Sequence, residues 1–201
     1  FIITKHKKGY FLECEKKIIE ELFIKLNSYK FRSKVEILNL SNEFVVAVLS
    51  REKFLTLENS KDVLGYTTKF REDPIYLDPR HKDLGARLIT NLEKLHLSLK
   101  LLELKSSNLD EYYSVSNKLG IPQTNTDKLQ NNLFGIECNL NELNGIDFKK
   151  GCYVGQENTA RIKLKDKLSK RLFPVEVIEG DLSKDNIIHH ENTELGKVLI
   201  N

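Results

Sequence analysis

The sequence has little of what marks several large classes of protein. Its 201 residues include no methionine and no tryptophan. There are only four prolines and ten glycines, and the sequence has no internal repeats. This excludes collagen-like and low-complexity chains. No apolar run approaches the about 18 residues of a membrane span, and no signal peptide opens the chain. With 40% hydrophobic residues and a net charge of only +3, we expect a soluble globular protein.

The missing methionine also bears on the ends of the chain. The first residue is Phe1, within a strand-like run, whereas a native translation product begins with methionine. We therefore expect either a fragment of a longer protein or a sequence from which modified residues have been dropped.

Cysteine and histidine are sparse and scattered. Cys14, Cys138 and Cys152 are odd in number and form no C-x-x-C pair, which argues against a disulfide framework and against a zinc site. None of the five histidines shares a ligand spacing with a cysteine or with another histidine, so we predict no metal site. Few, widely spaced cysteines favour a reducing compartment, and we predict a bacterial cytoplasmic protein.

Several motifs of common enzymes are also absent. The sequence contains no G-x-G-x-x-G, no G-x-x-x-x-G-K-[ST] and no H-E-x-x-H. Dinucleotide-binding, P-loop and zincin functions therefore have no motif to support them.

The apolar pattern predicts strands and helices in mixed order. A strand hairpin over residues 1–14 is followed by apolar side chains at helical spacing from Ile18 to Leu26. Further predicted elements are a helix at 110–119 and strands at 35–40, 44–49, 75–77, 172–178 and 195–200. Residues 84–104 are leucine-rich, and their mixed periodicity leaves helix and strand open. Because the elements show no regular βαβ alternation, we predict an α+β fold.

The most informative segment covers residues 144–161. Cys152 follows two lysines and lies between two glycines, which leave little bulk around the thiol. Neighbouring ammonium groups favour the thiolate, and a helix over 156–161 would direct its amino end toward the same thiol. Such a helix would also bring Glu157 and Arg161 to i,i+4 spacing. From spacing alone, a small buried cysteine in a turn is the better explanation.

Longer motifs resemble those of one protein family. Residues 150–161, K-G-C-Y-x-G-Q-E-x-x-x-R, resemble the signature of the YgfZ-type folate-binding proteins, which are relatives of the glycine-cleavage T-protein. Residues 29–37 resemble the family's Y-x-L-R-S-K-V-x-I, and residues 78–80 with 84–87 resemble its D-P-R…L-G-x-R. Mitochondrial counterparts in this family serve iron–sulfur protein maturation. The resemblance covers nearly all of the chain.

The resemblance implies a T-protein-like multidomain fold with mixed or antiparallel sheets, helices against them and a C-terminal β-barrel. On this basis residues 1–40 are the end of an inserted α+β subdomain. Residues 41–168 are the main folate-binding domain without its N-terminal part, and residues 169–201 are a fragment of the barrel.

The implied ligand is tetrahydrofolate, or its 5-formyl or 5,10-methylene derivative. Such a ligand needs a carboxylate for its aminopyrimidine edge, an aromatic or apolar slot and a cation for its glutamate tail. The family motifs make Cys152 and Lys150 the catalytic candidates. The cofactor-binding candidates are Glu137 for the pterin edge, Arg80, Tyr153, Gln156, Glu157 and Arg161. For Arg80, and more so for Arg87, an ordinary ion pair within the fold is the alternative.

The implied function is a folate-binding accessory protein for iron–sulfur protein maturation or repair. Cys152, activated by Lys150, would act as a redox, cluster-contacting or one-carbon-accepting thiol. The alternative is a T-protein-like aminomethyltransferase, although transferases resemble K-x-D-F-I-G where this chain has K-G-C-Y-V-G at 150–155. We therefore do not expect a classical aminomethyltransferase, and any enzymatic activity would be a folate-dependent one-carbon transfer. We expect a monomer whose partners are folate and iron–sulfur client or assembly proteins.

A third possibility is a nucleic-acid-binding module. Residues 149–171 contain eight Lys or Arg against two acidic residues. The segment lacks interleaved aromatic side chains and any known nucleic-acid-reading motif. We therefore favour a solvated face, or an electrostatic guide for polyglutamyl folate or a protein partner.

Overall fold

The computed structural model describes residues 1–130, 132–164, 168–182 and 186–200. These fall into two units, Phe1–Glu111 and Tyr112–Asn201. Antiparallel sheets and helices are mixed along the chain, so the predicted α+β class is confirmed and is consistent with a T-protein-like fold. The described strands do not close into a barrel. The three-part division drawn from the family resemblance stays a prediction.

The first unit opens with the predicted hairpin and helix. Strand β1 (Ile2–His6) pairs antiparallel with β2 (Gly9–Glu13), and helix α1 (Ile19–Tyr29) follows. Because side chains alternate along a strand, Thr4 and Glu13 share one face of the hairpin. Thr4 is buried there, whereas Ile3 on the opposite face is exposed.

A four-stranded antiparallel sheet forms the centre of this unit. It contains β3 (Val45–Leu49), β4 (Thr67–Phe70), β5 (Asp73–Leu77) and β6 (Ala86–Thr90) in the order β3-β6-β5-β4. The register places Ile75 opposite Leu88 and Tyr76 opposite Arg87. The short helix α2 (Arg51–Leu55) follows β3.

The two faces of β5 and β6 are buried by different chemistry. One face forms the apolar core of the unit, built from Phe54, Ile75, Leu77, Ala86 and Leu88. The other face carries Tyr76 and Arg87, which bond to Glu13 of the hairpin. Every residue of both strands is consequently buried.

The leucine-rich stretch at 84–104 contains both a strand and a helix. Strand β6 ends at Thr90, and helix α3 (Leu92–Leu101) begins directly after Asn91, whose side-chain oxygen accepts from the Lys94 amide at 2.9 Å. An asparagine N-cap of this kind starts a helix by satisfying one of its free amides. The mixed periodicity therefore arises because this stretch contains the strand β6 and the helix α3, joined at Asn91.

The second unit has little regular structure. Helix α4 (Leu109–Lys118) runs across the boundary in sequence, and a series of turns over residues 134–145 leads to helix α5 (Gln156–Leu164). Strands β7 (Ile187–His190) and β8 (Thr193–Lys197) form a separate hairpin. None of the described helices is long and apolar enough to cross a membrane.

Two predicted strands are wrong. Residues 35–40 and 172–178 form no ladder with any described strand, and Val35, Leu38, Phe173 and Ile178 are exposed. Their apolar composition is typical of strands, but a strand also requires a pairing edge. The predicted strand at 195–200 is present only as far as Lys197, in β8.

Candidate functional site

The candidate site is the turn that carries Cys152 in the second unit. The Tyr153 amide donates to the side-chain oxygen of Gln156 at 3.3 Å, and the Gln156 amide donates to the Tyr153 carbonyl at 3.1 Å. This pair of bonds closes the turn that leads into α5. Gly155 completes the turn with φ +86°, a conformation that favours glycine. Cys152 is exposed immediately before the closed turn.

Lys150 is directed onto an aromatic ring. Its Nζ lies 4.6 Å from the centroid of Tyr153, the residue that follows Cys152. This is a cation–π contact, which attracts the ammonium to the face of the ring. The contact keeps a positive charge in the same turn as the thiol, and the activation of Cys152 by Lys150 stays a prediction.

Glu157 and Arg161 form the ion pair that their spacing predicts. Arg161 Nη2 lies 2.7 Å from Glu157 Oε1 on α5. Both side chains are more than half exposed, and an exposed pair of this type contributes about 0.3–0.5 kcal/mol. No described hydrogen bond or ion pair links Glu157 or Arg161 to Glu137. The ligand-binding roles of both residues stay predictions.

Glu137 is buried and holds its own turn. Its Oε2 accepts from the Phe134 amide at 2.8 Å, and its backbone carbonyl accepts from the Leu172 amide at 2.9 Å. No described hydrogen bond uses the second carboxylate oxygen, Oε1. The side chain therefore stabilises the turn through one of its two oxygens, and its role at the pterin edge stays a prediction.

Arg80 and Arg87 lie in the first unit, in ion pairs within the fold. Arg80 binds the buried Asp78 through two atoms, with Nε at 3.0 Å from Oδ1 and Nη2 at 2.7 Å from Oδ2. Arg87 pairs with Glu13, and its Nη1 lies 3.7 Å from Asp78. Folate binding by Arg80 stays a prediction, since its guanidinium is directed at Asp78.

The three cysteines differ in exposure. Cys14 and Cys138 are half-buried, and burial raises the pKa of both thiols. Cys152 is exposed, contrary to the small buried cysteine that spacing alone favours. In the described part of the chain, no three His, Cys, Asp or Glu side chains come together as metal ligands.

This difference predicts selective alkylation. We expect iodoacetamide to modify Cys152 near neutral pH at least about tenfold faster than Cys14 or Cys138, because the half-buried thiols are less accessible and less ionised. Mass spectrometry of tryptic peptides over a time course measures the three rates. In concentrated urea the rates should converge. Equal rates in the native protein would contradict the prediction.

Sequence reasoning did not find two groups of residues around these sites. Glu13 and Tyr76 bond to each other although they lie 63 residues apart. Asn139 and Arg171, which are 32 residues apart, bond at 2.5 Å in the second unit. The only local signal is at Asn139, because asparagine is the non-glycine residue that most readily adopts its φ of +60°.

Comparisons with known proteins bear on the chain as a whole. No family model matches it. It is 32% identical over 186 residues to the mitochondrial iron–sulfur cluster assembly factor IBA57 of Mus musculus, covering 92% of this chain and 49% of that protein. It is 30% identical over 172 residues to the human protein of that name, covering 85% and 46%. The homolog of Dictyostelium discoideum is 29% identical over 181 residues, covering 90% and 44%.

All three relatives are iron–sulfur cluster assembly factors. The predicted connection to iron–sulfur protein maturation therefore has support at this level. The chain spans about half the length of the curated relatives it matches. Their names mention no folate, so the YgfZ-type assignment and the folate site stay predictions.

The predicted bacterial cytoplasmic location is wrong. The relatives are mitochondrial proteins of eukaryotes. The prediction used the small number and wide spacing of the cysteines, which indicate a reducing environment. That property does not distinguish one reducing compartment from another.

Proposed function

We propose that this chain is part of a mitochondrial accessory factor for iron–sulfur protein maturation that binds tetrahydrofolate beside the Cys152 thiol. The observation that carries the proposal is the exposed Cys152 directly before a closed turn, within the K-G-C-Y-x-G-Q-E motif. Similarity to assembly factors over about nine tenths of the chain supports the maturation role.

The thiol suits contact with a cluster held jointly with a partner protein. A cluster is normally held by four protein ligands, and a single cysteine supplies one. Because the described residues gather no set of three metal ligands, the remaining ligands would come from the partner. The cluster is then the cargo of the protein and is bound transiently.

The folate site is proposed around Glu137. Its buried carboxylate has one oxygen outside the described hydrogen bonds, which is the acceptor that the donor groups of an aminopyrimidine edge need. The half-buried ring of Tyr153 lies in the same unit and offers an aromatic surface. Lys149 and Lys150 supply positive charge for the glutamate tail.

Calorimetric titration of 5-formyltetrahydrofolate into the full chain tests this site. We expect one saturable site in the wild-type protein. In Glu137→Gln the affinity should fall by at least about tenfold, because a charge-assisted hydrogen bond is lost. The glutamine keeps an oxygen that accepts from the Phe134 amide, so the turn is retained.

Glu176→Gln is the matched control, because it makes the same change at an exposed position of the same unit, outside the turns at 134–145. Its affinity should stay within about twofold of the wild-type value. Absence of binding to the wild-type protein, or equal affinity in Glu137→Gln, would overturn the folate part of the proposal.

A further inference from the structure

Four residues fasten the chain before the Cys152 turn to the chain that returns after α5. We call Asn139, Glu142, Arg171 and Leu172 the base clip. Asn139 Nδ2 donates to the Leu172 carbonyl at 2.9 Å, and the Leu172 amide donates to the Glu137 carbonyl at 2.9 Å. Both backbone groups of Leu172 are therefore held by the turn around Asn139.

Arg171 completes the base clip from the other side. Its Nε donates to Asn139 Oδ1 at 2.5 Å, and its Nη2 donates to Glu142 Oε1 at 2.5 Å. The Asn139 amide thus uses its nitrogen toward Leu172 and its oxygen toward Arg171. A carboxylate in its place lacks the donor function, because an ionised carboxylate only accepts hydrogen bonds.

The segment between these two chains is linked internally. We call residues 146–164 the thiol loop. Lys163 Nζ lies 4.3 Å from the ring centroid of Phe148, which joins the last turn of α5 to the chain that leads up to Cys152. The Lys149 amide donates to Asp147 Oδ1 at 2.8 Å, and the Tyr153–Gln156 pair closes the turn.

All described hydrogen bonds of the thiol loop stay within it. Its described polar connection to the rest of the unit therefore runs through the turns at 134–145 and the return at 171–172. Gly145 immediately precedes the loop, and its amide donates to the carbonyl of Leu140 at 2.6 Å. Leu140 is the residue that follows Asn139. Restricting the two ends of a loop restricts the conformations of everything between them.

We propose that Asn139 is a positioning residue for Cys152, acting through the base clip, which fixes the thiol loop relative to the turn that carries Glu137. This inference rests on the proposed function, since the base clip would hold the Cys152 thiol and the Glu137 carboxylate of that function in a fixed relative position. Asn139 touches neither ligand nor thiol and acts through Leu172 and Arg171.

Amide hydrogen exchange in Asn139→Gly tests the proposal in the full chain. Glycine accepts the φ of +60° and removes both side-chain contacts. We expect the Tyr153, Gln156 and Thr159 amides to exchange at least about fivefold faster, which corresponds to one lost net hydrogen bond. Arg171→Ala, which spares the Asn139–Leu172 bond, should shift the same three amides in the same direction.

Asn186→Gly is the matched control. Asn186 lies in the same unit at φ +58°, so the change in backbone freedom is the same without loss of the base clip. If Asn139→Gly accelerates only the Leu172 amide, the base clip holds its own two chains and does not position the thiol loop. Because exchange is measured without folate, this result is independent of whether folate binds.

Discussion

Asp78→Ala is expected to lower the free energy of unfolding of the first unit by about 3–5 kcal/mol. The Asp78 side chain is fully buried, binds Arg80 through two atoms and lies 3.7 Å from Arg87. Alanine leaves two guanidinium groups without this buried counter-charge. Urea unfolding of the full chain, followed by amide exchange at Ile75 and Leu88, measures the loss within the sheet.

Asp83→Ala is the control for this substitution. Asp83 lies in the same connection between β5 and β6, but its side chain is more than half exposed. Its removal should change the free energy of unfolding by no more than about 0.5 kcal/mol. Equal unfolding midpoints for Asp78→Ala and the wild-type protein would show that the ion pairs of Asp78 do not stabilise the sheet.

The same polar cluster attaches the hairpin to the sheet. The Tyr76 hydroxyl donates to Glu13 Oε2 at 2.5 Å, and Arg87 pairs with the other oxygen of that carboxylate. Burial and the neighbouring carboxylate raise the pKa of Tyr76, which keeps its hydroxyl protonated as a donor. A buried polar cluster of this kind restricts the hairpin to one position, because any shift leaves a buried charge without its partner.

The sequence could predict elements whose signal is local. The hairpin, α1 and β3 follow from alternation and helical spacing, and the N-cap Asn91 explains why 84–104 looked ambiguous. The strands at 35–40 and 172–178 were wrong because pairing depends on residues distant in sequence. Composition reports how a segment would pack, and it carries no information on whether a partner edge is present.

The candidate site divides in the same way. The i,i+4 pair of Glu157 and Arg161 is fixed by helix geometry, so its spacing sufficed. The direction of Lys150 toward Tyr153 and the contact of Asn139 with Leu172 depend on how turns orient side chains. Neither contact has a periodic signature in the sequence, so neither could be predicted from it.

Gly85→Ala is expected to destabilise the first unit by at least about 3 kcal/mol. Gly85 has φ +73°, and a Cβ at this position would lie 2.2 Å from the Leu49 carbonyl oxygen. That oxygen belongs to the backbone at the end of β3 and cannot move aside as a flexible side chain can. The shift forced on Gly85 also disturbs its carbonyl, which accepts from the Asp78 amide at 2.9 Å. Urea unfolding of the full chain with the same Ile75 and Leu88 amides measures the loss.

Gly9→Ala separates this close approach from the general effect of replacing glycine. A Cβ at Gly9 would meet no atom within 4 Å. Where the native backbone accommodates alanine, the substitution reduces the freedom of the unfolded chain and stabilises the fold by about 0.4–1 kcal/mol. The two glycine substitutions should therefore have opposite signs in one unit. If Gly85→Ala is as stable as Gly9→Ala, β3 and the connection to β6 do not approach as closely as the structure shows, and the buried position of Asp78 beside them would have to be revised.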